Sequence, residues 1–224
     1  MLMKRSLRLL GSIVAVVAIT VMGAGLAKAT NVTFNFAGCP SSSVSACPGD
    51  FGTNTATYTA GGLSIVASGY GSSGTSSPVD LFLKAGGGDE NGLGLNGTSD
   101  NEINASQYIY LDMSNLVSHG VLSGIIGFGS VQSGEVASVC ATTAVGMPGS
   151  VCTSVTDSGG SMGSASVTWS ASDPILSITA ASGNVLLGNI GVSTVPEPAS
   201  LTLFGTGLLG LGYLLRRKKL LARQ

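Results

Sequence analysis

Positive charge is almost missing from the middle of this chain. Between Thr30 and Val195, Lys84 is the one lysine or arginine. Ten acidic residues accompany it: Asp50, Asp80, Asp89, Glu90, Asp100, Glu102, Asp112, Glu135, Asp157 and Asp173. Ten against one gives that stretch a net charge of −9, although the whole chain stands at −1. A surface of that sign repels phosphate backbones and anionic lipid, which disfavours nucleic-acid binding and lysine-driven membrane attraction. Other shortages narrow the chemistry further. His119 is the single histidine and no Cys-x-x-Cys occurs, so a usual zinc set is lacking. The one Gly-x-Ser-x-Gly string, Gly159 to Gly163, leads into the strand-like "ASVTWSA" and so lacks the helix that a nucleophile elbow needs. One tryptophan, Trp169, and few tyrosines leave little to stack sugars in a glycosidase cleft. No long helical pattern is present, so a parallel α/β fold would lack its crossovers.

What the body does contain is short apolar stretches between Gly, Ser and Thr clusters. "NVTFNFA" alternates, with Val32, Phe34 and Phe36 on one face. "TATYTA" and "LSIVAS" flank Gly61-Gly62, which reads as a hairpin turn. "VDLFLKA", "QYIYLDM", "GIIGFGSV", "GEVASVC", "ASVTWSA", "ILSITA" and "NVLLGNIGV" continue the series. About ten short strands with turns between them predict an antiparallel β-sandwich or jelly-roll-like ectodomain over residues 30–192. "SNLVSHGVL" has room for one helical turn. The four cysteines, Cys39, Cys47, Cys140 and Cys152, are an even set in a chain with an export signal, which favours disulfides. Three pairings are available. The sequence-local one, Cys39–Cys47 with Cys140–Cys152, is the simplest, because each pair brackets a turn-rich stretch.

The two ends are different in kind. Lys4, Arg5 and Arg8 precede the apolar run Leu9 to Leu26, and Ala27-Lys28-Ala29 forms a small-x-small cleavage site. Residues 1–29 therefore read as a signal peptide, with Thr30 beginning the mature chain after signal peptidase acts. At the other end, Pro196 and Pro198 make residues 193–198 an extended linker. Residues 199–215 then form an apolar run at the lower edge for crossing a bilayer. Arg216, Arg217, Lys218 and Lys219 open a basic tail, residues 216–224, which stays cytoplasmic by the positive-inside rule. Both ends thus predict one topology: the body outside, held by a single C-terminal transmembrane helix.

Val195-Pro196-Glu197-Pro198, the apolar helix and the basic cluster together resemble the PEP-CTERM sorting signal, here residues 195–219. The resemblance implies a Gram-negative host and processing by an exosortase, a membrane-embedded cysteine transpeptidase-like enzyme. It also implies a link to extracellular polysaccharide, with the membrane anchor transient and the protein finishing at the cell surface or in the matrix. "DLFLKAGGGDENGLGLNGTSDNEINASQYIYLDM", followed by "GSVQSGE", resembles a stretch found in PEP-CTERM ectodomains, a group with no activity to carry over. The expectation is a non-enzymatic exported surface or matrix protein. The alternative is a secreted module that binds carbohydrate or calcium.

Candidate sites within the body are few. The loop from Gly86 to Asn104 offers Asp89, Glu90, Asn91, Asp100, Asn101, Glu102 and Asn104 to a hard cation such as calcium, with Asp89, Glu90, Asp100 and Glu102 as the carboxylates. Its spacing matches no EF-hand, and the plainer account is a solvated, turn-rich connection. No other cofactor is expected. Ser118-His119 would need a third, acidic partner to make a hydrolase. Asp89 with Glu102 is one carboxylate pair to test for a glycosidase. Tyr70, Tyr108, Tyr110 and Trp169 are candidates for a carbohydrate platform, and Tyr108 and Tyr110 share a strand face.

Overall fold

The computed structural model describes residues 29–72, 76–87, 90–97, 99–160 and 162–194, together with Gly207. Asn31–Thr194 form one compact unit. The expected signal h-region, the Ala27 side of the cleavage site, the Pro-Glu-Pro motif, the transmembrane helix and the basic tail lie outside the described residues. Among the described residues no helix is long and apolar enough to cross a membrane.

Among the described residues, thirteen strands build two antiparallel sheets. In chain order they are β1 (Thr30–Asn35), β2 (Gly49–Asp50), β3 (Thr55–Ala60), β4 (Leu63–Tyr70), β5 (Leu81–Ala85), β6 (Asn91–Leu95) and β7 (Tyr108–Asp112). After the one-turn helix α1 (Ser114–Ser118) come β8 (Ser123–Ser130), β9 (Val136–Thr142), β10 (Val151–Thr156), β11 (Gly163–Thr168), β12 (Ile175–Ser182) and β13 (Leu186–Thr194). The first sheet runs β11-β8-β13-β6-β5-β2, with β1 also pairing β13. The second runs β10-β9-β12-β7-β4-β3. Alternation explains how they meet. Ile65 and Ala67 of β4, Ile109 and Leu111 of β7, and Leu176 and Ile178 of β12 turn to one side of the second sheet. They share one buried cluster with Phe34, Leu81, Leu93, Ile126, Phe128, Leu187 and Ile190 of the first. The expected all-β, two-sheet class is what the chain forms.

Three strands go beyond the ten read from the sequence: β2, β6 and β10. The most consequential is β6, because it lies inside the stretch expected to be a flexible acidic loop. Asn91–Leu95 is instead a strand between β13 and β5, and Gly92 to Leu95 are buried. Its glycines, which read as turn signals, serve close approach: a methyl on Gly94 would run into the Asn101 carbonyl oxygen. Cys39 pairs with Cys47 and Cys140 with Cys152. The second disulfide joins residues directly opposite each other on β9 and β10.

β1 and β13 set the direction of the two ends. The Phe36 amide donates to the Gly188 carbonyl, and the Thr33 side chain lies against Gly191. One number falls as the other rises, so the strands are antiparallel, and the same register puts Thr30 opposite Thr194. The expected first residue of the mature chain and the last residue of the body therefore share one pole. β13 reaches Thr194, two residues into the stretch expected as linker.

Candidate functional site: an acidic pole and the exit to the tail

Asn184 sits just before β13, at the end away from Thr194. Nine strand residues at ~3.3 Å each separate the two poles by roughly 30 Å. At the Asn184 pole the carboxylates of the sequence analysis meet side chains that already satisfy them. Lys84 Nζ lies 2.8 Å from Glu90 Oε2 and donates to Glu102 Oε1 at 2.7 Å. Asp100 accepts from the Glu102 amide at 3.3 Å and from Asn184 Nδ2 at 2.6 Å. Glu135, which the sequence reading did not single out, accepts from the Asn184 amide at 3.2 Å and the Gln132 amide at 2.7 Å. Asp89 lies outside the described residues.

This arrangement places an ammonium between two of the four carboxylates considered for calcium. Among the described residues, no three histidine, cysteine or acidic side chains are grouped to hold a metal. The Lys84 and Glu102 side chains are 19% and 7% exposed, so the pair is largely withdrawn from water. Burial alone would lower the Lys84 pKa, but hydrogen bonds and charge from Glu102 and Glu90 outweigh it and hold the group above an ordinary lysine. Burial pushes the Glu102 carboxyl up. Lys84 offsets part of that, while Asp100 and Glu135 add to it. Both shifts are upward, which favours the charge on Lys84 and disfavours it on Glu102, because Glu102 is the deeper partner and loses more solvation. A buried carboxylate bound to lysine is a structural ion pair, and the glycosidase pairing of Asp89 with Glu102 gains no geometry from it.

The other candidates disperse. His119 follows α1, and its Nδ1 lies 2.8 Å from the Asn115 carbonyl. A carbonyl only accepts, so Nδ1 carries the proton there. The Ser118 hydroxyl donates to the same carbonyl at 2.7 Å and lies 3.2 Å from Nδ1. A protonated Nδ1 cannot take the serine proton, so the two residues cap a helix end and do not form a nucleophile–base pair. Trp169 departs from the expected platform altogether. It is buried in the core, and its Nε1 donates to the Val121 carbonyl at 2.8 Å. The tyrosines do gather. Tyr108 and Tyr110 stack with ring centroids 5.9 Å apart, and Tyr70 meets Tyr110 edge-on at 5.7 Å. Tyr110 is fully buried and the other two are half-buried, so the rings spend their faces on each other.

The fold and its sites define a disulfide-bonded, antiparallel two-sheet β protein whose carboxylates at the Asn184 pole are paired internally. The chain beyond that body supplies the more particular assignment. Residues 194–218 match the PEP-CTERM protein-sorting motif, beginning at the last residue of β13. The motif marks an exported, exosortase-targeted protein directed to the cell surface of a Gram-negative bacterium. No curated protein and no solved structure matches the chain.

Proposed function

We propose that this protein is a non-enzymatic component of the cell surface or extracellular matrix. Signal peptidase cuts after Ala29, and the body folds outside the inner membrane. Residues 199–215 stall in the bilayer, with Arg216, Arg217, Lys218 and Lys219 on the cytoplasmic side. The exosortase then acts near Val195-Pro196-Glu197-Pro198 and passes the body to the surface layer, where exopolysaccharide is its expected environment. The observation that carries this reading is the three-part tail joined directly to a folded body. A structural role draws support from Glu90, Asp100, Glu102, Glu135 and His119, which are engaged in internal hydrogen bonds and ion pairs. The carbohydrate- or calcium-binding alternative draws less from the geometry, with Trp169 in the core and Glu90 and Glu102 paired to Lys84.

Mass spectrometry of the C-terminus tests the proposal. In a host with its exosortase the chain should end upstream of the basic cluster; in one without, it should keep Gln224. An intact Gln224 in both hosts would overturn it.

A further inference from the structure

The two edges of the second sheet are finished differently. At the β3 edge, the loop closed by Cys39–Cys47 lies alongside the strand. The Ser41 and Ser42 amides donate to the Thr57 carbonyl at 2.7 and 3.3 Å. Their hydroxyls accept from the Thr59 and Thr57 amides at 3.1 and 3.0 Å. That edge is therefore covered.

The β10 edge has no such cover. Cys152 lies directly opposite Cys140, with Cα atoms 4.1 Å apart. Opposed residues that exchange no hydrogen bonds sit at ~4.5 Å, against ~5.5 Å for those that do. By alternation Val151, Thr153 and Val155 bond to β9, while Cys152 and Ser154 turn their backbone N–H and C=O groups outward. Among the described residues, no backbone hydrogen bond reaches those groups from outside the sheet. Exposed edges are usually protected by charge, proline or a bulge. "VCTSVT" has neither charge nor proline, and its register with β9 is unbroken.

Charge selects the partner. Another copy of a body at −9 is repelled over most of its surface, yet no charged residue occurs from Val136 to Thr156. Val151 stands 79% exposed at the start of the strand. We propose that β10 pairs antiparallel with β10 of a second copy, about a two-fold axis at Thr153. This interface continues the six-stranded sheet across both chains. Cys152 and Ser154 of each copy then exchange backbone hydrogen bonds, and Thr153 of each lies opposite Thr153 of the other. The contact is self-complementary, as a two-fold interface requires.

The test uses the full chain, exported in its host. Thr153→Cys places two thiols at the Cα spacing of an opposed, non-bonded pair, which a disulfide spans. It should give a covalent dimer on a non-reducing gel, while Thr57→Cys on the covered edge should stay monomeric. Ser154→Lys should convert the dimer to monomer in sedimentation and keep the melting temperature of the monomeric fold, because Ser154 is exposed. Three results would overturn the proposal: a folded Thr153→Cys chain that forms no dimer, a dimer that survives Ser154→Lys, or a cross-link to a protein of another mass.

Discussion

Lys84 concentrates the residue-scale energetics. It is the one cation of the body and it holds two carboxylates, one of them nearly buried. Removing one partner of a buried pair leaves the other charged and unsolvated, which costs several kcal/mol when burial is complete. Partial exposure discounts this, so Lys84→Met should destabilise the body by about 2 kcal/mol at neutral pH. The pH dependence separates charge from packing. A raised Lys84 pKa gives stability that is full below pH ~10.4 and is lost as pH rises through the folded value. A raised Glu102 pKa likewise gives a contribution that is full below pH ~4.3 and declines as pH rises through its folded value. The deficit of Lys84→Met should therefore be largest near neutrality and shrink in acid, where Glu102, its pKa raised by burial, takes up a proton. Urea titrations at pH 4 and pH 7 measure it. An equal deficit at both would assign the loss to the lysine stem and remove the ion pair from the explanation. The sequence displays Lys84 as isolated, but gives no hint that Glu102, eighteen residues on, reaches it.

At the scale of elements, alternation was legible and close approach was not. β1, β4 and β12 carry period-two apolar residues that announce a buried face. β6 carries "NGLGL", whose glycines exist because neighbouring backbone lies where a side chain would stand. β10 reads as a polar stretch between Pro148 and Asp157, and becomes a strand through its pairing with β9. Edge protection is likewise a tertiary property. Ser41 and Ser42 belong to a disulfide loop, yet they finish the β3 edge fifteen to eighteen residues away. Replacing both with Ala removes about 1 kcal/mol of hydrogen bonding per amide. Hydrogen exchange at Thr57 and Thr59 should quicken roughly five-fold, with the buried amides of β4 unchanged. Unaltered exchange at both threonines would show that the loop does not seal the edge.

The whole molecule is organised by its ends. β1 and β13 bring Thr30 and Thr194 to one pole, and the paired carboxylates cluster about Asn184 at the other. Only Val195 separates the last strand from Pro196. One residue spans at most about 3.6 Å, so a membrane enzyme acting at the motif meets the folded body directly. Inserting six Gly/Ser residues after Thr194 should raise the rate of tail removal without changing the melting temperature of the body. Pulse–chase labelling reads the ratio of processed to unprocessed chain. An unchanged or slower conversion would show that the body does not obstruct the enzyme.

The sequence by itself determined the C-terminal sorting motif and the all-β class. Each of these is written in a contiguous stretch: charge beside an apolar run, a proline-bracketed glutamate, alternation over a few residues. Only the tertiary structure decided which carboxylates are neutralised, which sheet edge is covered and where the two ends emerge. Those properties depend on contacts between residues as far apart as Asp100 and Asn184, eighty-four positions along the chain. Local pattern carries no record of such contacts, because the packing of two sheets creates them.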